Sequence, residues 1–176
     1  NYVIYPLNAN IASLFQVPVL GGGPRRLVED IDTAPTYSPD GKQFAFIRGF
    51  FNEGSGVIIA DAAGANEREL MRRKPPLDFI LDGLAWSPDG RTIAASAVNR
   101  DTQKGSIVTI DAASGEERAL GAHEWRRVSY LAWVPEGTHL LVNAVETSGE
   151  SSSQLFSVSY PDGAVRRITN DLSEYN

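Results

Sequence analysis

The chain has 176 residues, with 16 Lys+Arg against 22 Asp+Glu for a formal net charge of −6, and it contains no cysteine. That is the length of one ordinary domain, and 42% hydrophobic with 22% charged residues is enough apolar material for a core, which argues against disorder. An acidic chain without a basic stripe argues against nucleic acid as a partner, and the lack of cysteine rules out disulfides, a thiolate nucleophile and a Cys-based zinc site while leaving the compartment open.

No apolar run approaches the roughly 18 residues of a membrane span, so no membrane segment is expected. The chain starts at Asn1 with neither an initiator Met nor the basic region of a signal peptide, and it reads as a piece of a longer polypeptide.

From the N-terminus, residues 2–5 and 15–19 read as strands, residues 21–23 as a glycine turn and residues 24–28 as a further strand. A repeat then takes over. Tyr37-Ser38-Pro39-Asp40-Gly41, Trp86-Ser87-Pro88-Asp89-Gly90 and Trp133-Val134-Pro135-Glu136-Gly137 recur 49 and 47 residues apart. Each is a turn with a mechanism: Pro presets φ, the acidic side chain can bond the following backbone, and Gly takes the positive φ that closes a hairpin. Strand-like runs follow at residues 43–47, 92–96 and 139–142. Second strands come at residues 57–60, 107–110 and 155–158, turns at 62–64, 113–115 and 161–163, and short charged strands at 67–70, 117–120 and 165–168.

The unit is therefore four strands: an inner one ending at the aromatic, two middle ones and a charged outer one. This pattern predicts an all-β fold, a β-propeller of four-stranded antiparallel blades, with about four blades. The expected division is an incomplete blade at 1–30, blades at 31–71, 80–121 and 128–170, and a lead-in to a missing inner strand at 171–176. A closed ring of six such blades would need roughly 290 residues, so the chain is expected to be a fragment of a larger propeller or a compact four-blade unit with a covered inner edge. An uncovered edge invites self-association.

The aromatic-Ser-Pro-Asp-Gly repeat, followed one hairpin later by a Gly turn and a charged strand, resembles the TolB-like and WD-like propeller repeats of bacteria. The resemblance covers nearly the whole chain. Similar repeats occur in periplasmic TolB proteins, in the propellers of prolyl oligopeptidase and dipeptidyl-peptidase families, and in the C-terminal regions of bacterial eukaryotic-type serine/threonine kinases. The closing run Val165-Arg166-Arg167-Ile168-Thr169-Asn170-Asp171-Leu172-Ser173-Glu174-Tyr175 looks most like the kinase-linked version. The resemblance implies a non-catalytic module for protein or ligand binding, the sensor region of a receptor-type kinase. The alternatives it leaves are the substrate-gating propeller of a prolyl-oligopeptidase-type serine peptidase and a periplasmic TolB-like scaffold. An extracytoplasmic location goes with the receptor-kinase and TolB-like readings, and a fold shared by many functions shifts expectation without deciding it.

No catalytic residue, cofactor or metal is expected. Asp78-Phe79-Ile80 lacks the Gly of the kinase Asp-Phe-Gly motif, and Gly149-Glu150-Ser151-Ser152-Ser153 lacks the final Gly of a nucleophile elbow. Gly21-Gly22-Gly23 has no following Lys-Ser/Thr for a phosphate. His123 and His139 are not spaced as a metal pair, and Asp111-Ala112-Ala113-Ser114-Gly115-Glu116 lacks the alternating carboxylates of a calcium loop. Tyr37, Trp86 and Trp133 recur once per blade and read as packing between blades.

The binding candidates are the loops between middle strands (residues 50–55, 99–104 and 146–153) and the blade-to-blade connections (72–79 and 123–127), because loops on a rigid scaffold are where recognition is usually placed. Phe50, Phe51, Arg72, Arg73, Lys74, Phe79, Trp125, Arg126 and Arg127 form the candidate surface, aromatics interleaved with positive charge. Such a face would take a protein or peptide partner, with acidic peptides or carboxylate ligands favoured through Arg. The plainer alternative has Phe79 packing under its connection and the arginines forming a solvated rim.

Overall fold

The structure is a computed structural model that describes residues 2–7 by their backbone and residues 12–148 and 152–169 in full. The expected lead-in at 171–176, and the Gly149-Glu150-Ser151 part of the polar insertion, lie outside the described residues. All of the described regular structure is β. In chain order the first sheet has β1 (Tyr2–Leu7), β2 (Ser13–Pro18) and β3 (Arg25–Glu29). The second has β4 (Thr36–Tyr37), β5 (Gln43–Phe50), β6 (Gly54–Asp61) and β7 (Arg68–Arg73). The third is β8 (Leu77–Trp86), β9 (Thr92–Asn99), β10 (Lys104–Asp111) and β11 (Glu117–Ala119), and the fourth is β12 (Trp125–Trp133), β13 (His139–Glu146), β14 (Gln154–Ser159) and β15 (Val165–Arg167). Every pairing is antiparallel and sequential, apart from a single Gly105–Trp125 bridge that fastens the third sheet to the fourth.

Local sequence explains each sheet. At the Ser-Pro-Asp-Gly turns, Ser38 and Ser87 each donate from Oγ to the aspartate two residues on, at 2.8 and 2.6 Å. The same hydroxyls accept the N–H of Gln43 and Thr92 at 3.0 Å, starting the next strand. The third copy has Val134 and keeps only the backbone bonds, Val134 N–H to His139 O and Gly137 N–H to Val134 O. Gly41, Gly90 and Gly137 hold φ of +67°, +75° and +69°, the region that makes glycine the default residue there.

Alternation then gives each blade two apolar faces, because successive side chains point to opposite sides of a sheet. Phe44, Phe46, Ile58 and Ala60 face the first blade, where Leu14, Val28 and Ile31 meet them. Ala45, Ile47, Val57 and Ile59 face the third blade, against Ile93, Ala95, Val108 and Ile110. Ala85, Ala94 and Ile107 turn the other way onto Leu140, Val142, Phe156 and Val158 of the fourth. Three interblade cores therefore stand side by side, an arrangement of the β-propeller type. Of the expected packing aromatics, Trp86 lies in the core between second and third blades, and Trp133 reaches back to donate from Nε1 to Ala85 O at 3.0 Å. Tyr37 packs partly buried beside the core between the first and second blades. Its phenol Oη is buried without a hydrogen-bond partner, and burial raises its pKa above the usual tyrosine value.

The strands run further than the sequence suggests. β7 extends through Arg72 and Arg73, which pair with Gly56 and Ser55, and β8 begins at Leu77, so the connection expected over residues 72–79 shrinks to Lys74-Pro75-Pro76. Similarly Trp125, Arg126 and Arg127 belong to β12 rather than to a loop.

Candidate functional site

Because hairpins alternate ends, the Ser-Pro-Asp-Gly turns gather at one end of the blades. The β5–β6, β7–β8 and β9–β10 connections gather at the other. There a cleft of about 580 Å³ opens between the second and third blades, lined on one side by Asp30, Asp32, Phe50, Phe51 and Asn52 and on the other by Pro75, Asp78, Phe79, Leu81 and Arg100.

Its floor is a polar network. Asp78, 7% exposed, accepts bonds from the Ser55 hydroxyl, from the Phe79 N–H at 3.0 Å, and from Arg100 through Nε at 2.8 Å and Nη2 at 2.5 Å. Ser55 in turn accepts the Phe79 N–H at 2.9 Å, so the hydroxyl bridges two blades. Gly54 lets the strands close here, since a Cβ on it would stand 2.1 Å from the Arg73 carbonyl oxygen. The near wall is held by Arg48, which bonds the carbonyls of Glu29 and Asp30 at 2.8 and 2.6 Å and the Glu67 carboxylate at 2.9 Å. Asp32 caps that wall by accepting the Gly49 N–H at 2.7 Å, with its carboxylate otherwise turned to solvent.

At the rim, Phe51 is 94% exposed and Leu81 43% exposed. Large apolar side chains held in the open beside a bonded polar floor suit a surface that meets another chain. Of the three carboxylates that line the cleft, Asp78 is paired with Arg100 and Asp30 with Arg48 at 3.5 Å, so Asp32 is the one that carries its negative charge into the cleft without an ion pair among the described residues.

The predicted site residues divide sharply. Phe50, Phe51 and Phe79 line the cleft, but Phe79 is 2% exposed and belongs to the interblade core, so the plainer expectation of packing under its connection describes its place. Trp125 is a correction of the same kind. It is 1% exposed and packs edge-on to Phe156 with ring centroids 4.7 Å apart, because its position in β12 points it between blades.

Arg72 and Arg73 do not make the face basic. Arg72 lies over the Phe50 ring at 3.5 Å and pairs with Glu69 and Glu53, and its bonds to Glu69 hold its pKa above the ordinary arginine value. Arg73 makes a two-pronged pair with Glu117 of the third blade, Nε to Oε2 at 2.8 Å and Nη2 to Oε1 at 2.7 Å. Both charges are answered within the fold. Lys74, Arg126 and Arg127 are exposed, and none of the three lines the cleft.

Sequence reasoning missed Asp30 and Asp32, which sit on a connection carrying no repeat signal. It also missed the Ser55–Asp78–Arg100 network, whose members come from three separate strands or loops. The signal that pointed to the place was loop position, which brought Phe50, Phe51, Ser55, Asp78 and Arg100 into the candidate segments.

No protein-family sequence profile matches the chain. It is 28% identical over 152 residues, 83% of its own length, to dipeptidyl-peptidase 5 of Trichophyton equinum, and it spans only 20% of that relative's length. Among solved structures it is similar to TolB from Acinetobacter baumannii, with a TM-score of 0.75 and 13% identity over 96% of this chain and 40% of that one. It is also similar to the β-propeller domain of the Trilobed protease from Pyrococcus furiosus, with a TM-score of 0.61 and 20% identity over 97% of this chain and 54% of that one. These likenesses agree with the sheet topology: the fold is a TolB-like β-propeller.

Proposed function

We propose that this chain serves as part of the non-catalytic propeller of a peptidase-type protein, where its cleft between second and third blades holds or steers peptide substrate toward a catalytic domain outside the chain. The observation that carries the reading is the cleft itself, an open space walled by exposed Phe51 and Leu81 above a bonded polar floor. Sequence similarity to dipeptidyl-peptidase 5 along 83% of the chain supports the peptidase setting over the kinase one. None of the relatives described above is a kinase. With Arg72 and Arg73 neutralised and Asp32 turned to solvent, the cleft favours peptides that carry apolar and positively charged side chains over acidic ones.

The test is fluorescence-polarisation titration of the chain with two labelled hexapeptides, one containing Phe and Lys, the other Phe and Glu. The basic peptide is expected to bind, and Phe51→Ala is expected to weaken it about tenfold or more without moving the melting temperature. Binding that ignores Phe51→Ala, or a preference for the acidic peptide, overturns the reading. In the parent polypeptide a Gly-x-Ser-x-Gly hydrolase motif is expected, and kinase motifs in its place would return the signalling alternative.

A further inference from the structure

Each interblade boundary is closed by the same backbone contact. The turn glycine that follows the second middle strand sits against a buried leucine of the preceding blade's outer strand, within the strand at Leu27 and Leu70 and just after it at Leu120. A Cβ on Gly64 would stand 2.2 Å from the Leu27 carbonyl oxygen, one on Gly115 would stand 2.3 Å from that of Leu70, and one on Gly163 would stand 2.8 Å from the Leu120 carbonyl carbon. No side chain fits there, so the contact specifies what meets it: a Gly turn.

The series has two open ends, and they are complementary. Ile168 is the fourth member of the Leu27, Leu70, Leu120 series. Those three are 8%, 9% and 5% exposed, whereas Ile168 is 47% exposed. Gly21 is the first member of the glycine series, bonded like Gly64 to the residue three before it, and nothing lies within 4 Å of the position its Cβ would take.

The side-chain faces repeat the pattern. Ala45 and Ala94 are fully buried under the following blade, and Leu141, their counterpart in the fourth blade, is 43% exposed. On the opposite face Ala60, Ile110 and Val158 are 1%, 0% and 1% exposed, and their counterpart in the first blade, Val17, is only half-buried. The turns agree at the first blade's side. Pro39 and Pro88 pack against the glycine position of the next turn at 3.6 and 3.8 Å, while the Gly41 position has nothing within 4 Å among the described residues.

We infer that the outward faces of the fourth and first blades are the two halves of one interblade contact, and that in the free chain a second copy supplies the missing half, its first blade docking on the fourth blade of its neighbour. The contact is head-to-tail, so blade follows blade across the junction as it does within one chain. Burying Leu141, Ile168 and Val17 together supplies the same kind of apolar contact that joins the blades internally. This inference stands on the interblade repeat and is independent of the peptide cleft, which lies at an internal boundary.

Sedimentation velocity of the 176-residue chain over a concentration series is the experiment, with Leu141→Asp and Val17→Asp as variants. The unsubstituted chain is expected to associate reversibly, and each variant alone to require about tenfold or more higher concentration. Head-to-tail docking then makes a distinctive demand: an equal mixture of the two variants should form a one-to-one dimer where neither associates alone, since each retains the face the other has lost. A monomeric wild type overturns the inference and assigns the faces to blades of a longer polypeptide. Association of the wild type without the mixed dimer overturns it in favour of a fourth-blade to fourth-blade contact.

Should either aspartate variant fail to melt cooperatively, the cysteine-free chain offers a second route through Leu20→Cys and Ile168→Cys, single variants at exposed positions. Mixed and treated with a short bismaleimide, they should give the cross-linked hetero-pair in excess over either homo-pair. An even distribution counts against the head-to-tail contact.

Discussion

The two ends of the blades follow opposite plans. At one end the Ser-Pro-Asp-Gly turns repeat their bonds from blade to blade, with Ser38 and Ser87 making the same pair of hydrogen bonds. At the other end the described side chains differ from blade to blade. The Ser55–Asp78–Arg100 network joins the second and third blades, where the third blade has Gly105 at the register of Ser55. The contrast teaches that the repeated end is committed to closing hairpins and aligning blades, while the divergent end is free to carry a site.

The largest effect that can break this contrast is at Phe79. If β8 begins as core rather than as a recognition loop, Phe79→Ala should cost about 3–5 kcal/mol in urea unfolding. A loss below about 1 kcal/mol would place that segment with the loops.

Next comes Asp78→Ala, which leaves the buried Ser55 hydroxyl and the Phe79 N–H without their shared acceptor. About 1–3 kcal/mol of stability should go in the same assay, and the loss should have no counterpart in substitutions at the other blade boundaries.

The repeated end is sharpened by a matched trio. Ser38→Ala and Ser87→Ala should each destabilise by about 1 kcal/mol and by equal amounts. Val134→Ser, which restores the hydroxyl to the third copy facing Glu136, should stabilise by up to about 1 kcal/mol in thermal melts.

Acid titration gives a smaller effect with a definite sign. The Ser87 hydroxyl first, and then the Arg91 N–H, hold the Asp89 carboxyl below the usual carboxylate value of 3.8. A folded pKa below the unfolded one means the stabilisation is complete above pH 3.8 and is lost as pH falls below it through the folded value. Melting curves from pH 6 to pH 3 should therefore show an acid decline that is shallower in Ser87→Ala.

The smallest effect on stability is expected at Phe51. Phe51→Ala should stay within about 0.5 kcal/mol of the parent while its effect appears in peptide capture.

The repeat, its strands and the packing role of Trp86 were legible because they rest on local rules: Pro and Gly at fixed places in a turn, and alternation along a strand. The same rules could not show where strands stop. Arg72, Arg73 and Trp125 looked like loop residues because charge and aromatics break the alternation, yet Gly56, Ser55 and Gly105 offered them backbone partners and drew them into sheets. Nor could composition show that Arg73 is spoken for by Glu117, 44 residues away.

The amino-acid sequence by itself determined the kind of unit and its number of copies, since a hairpin is specified by its own few residues. Which faces those units cover, which charges they cancel and where a cleft remains were decided only by tertiary structure, because each depends on groups that are distant in the chain and meet only when blade packs on blade.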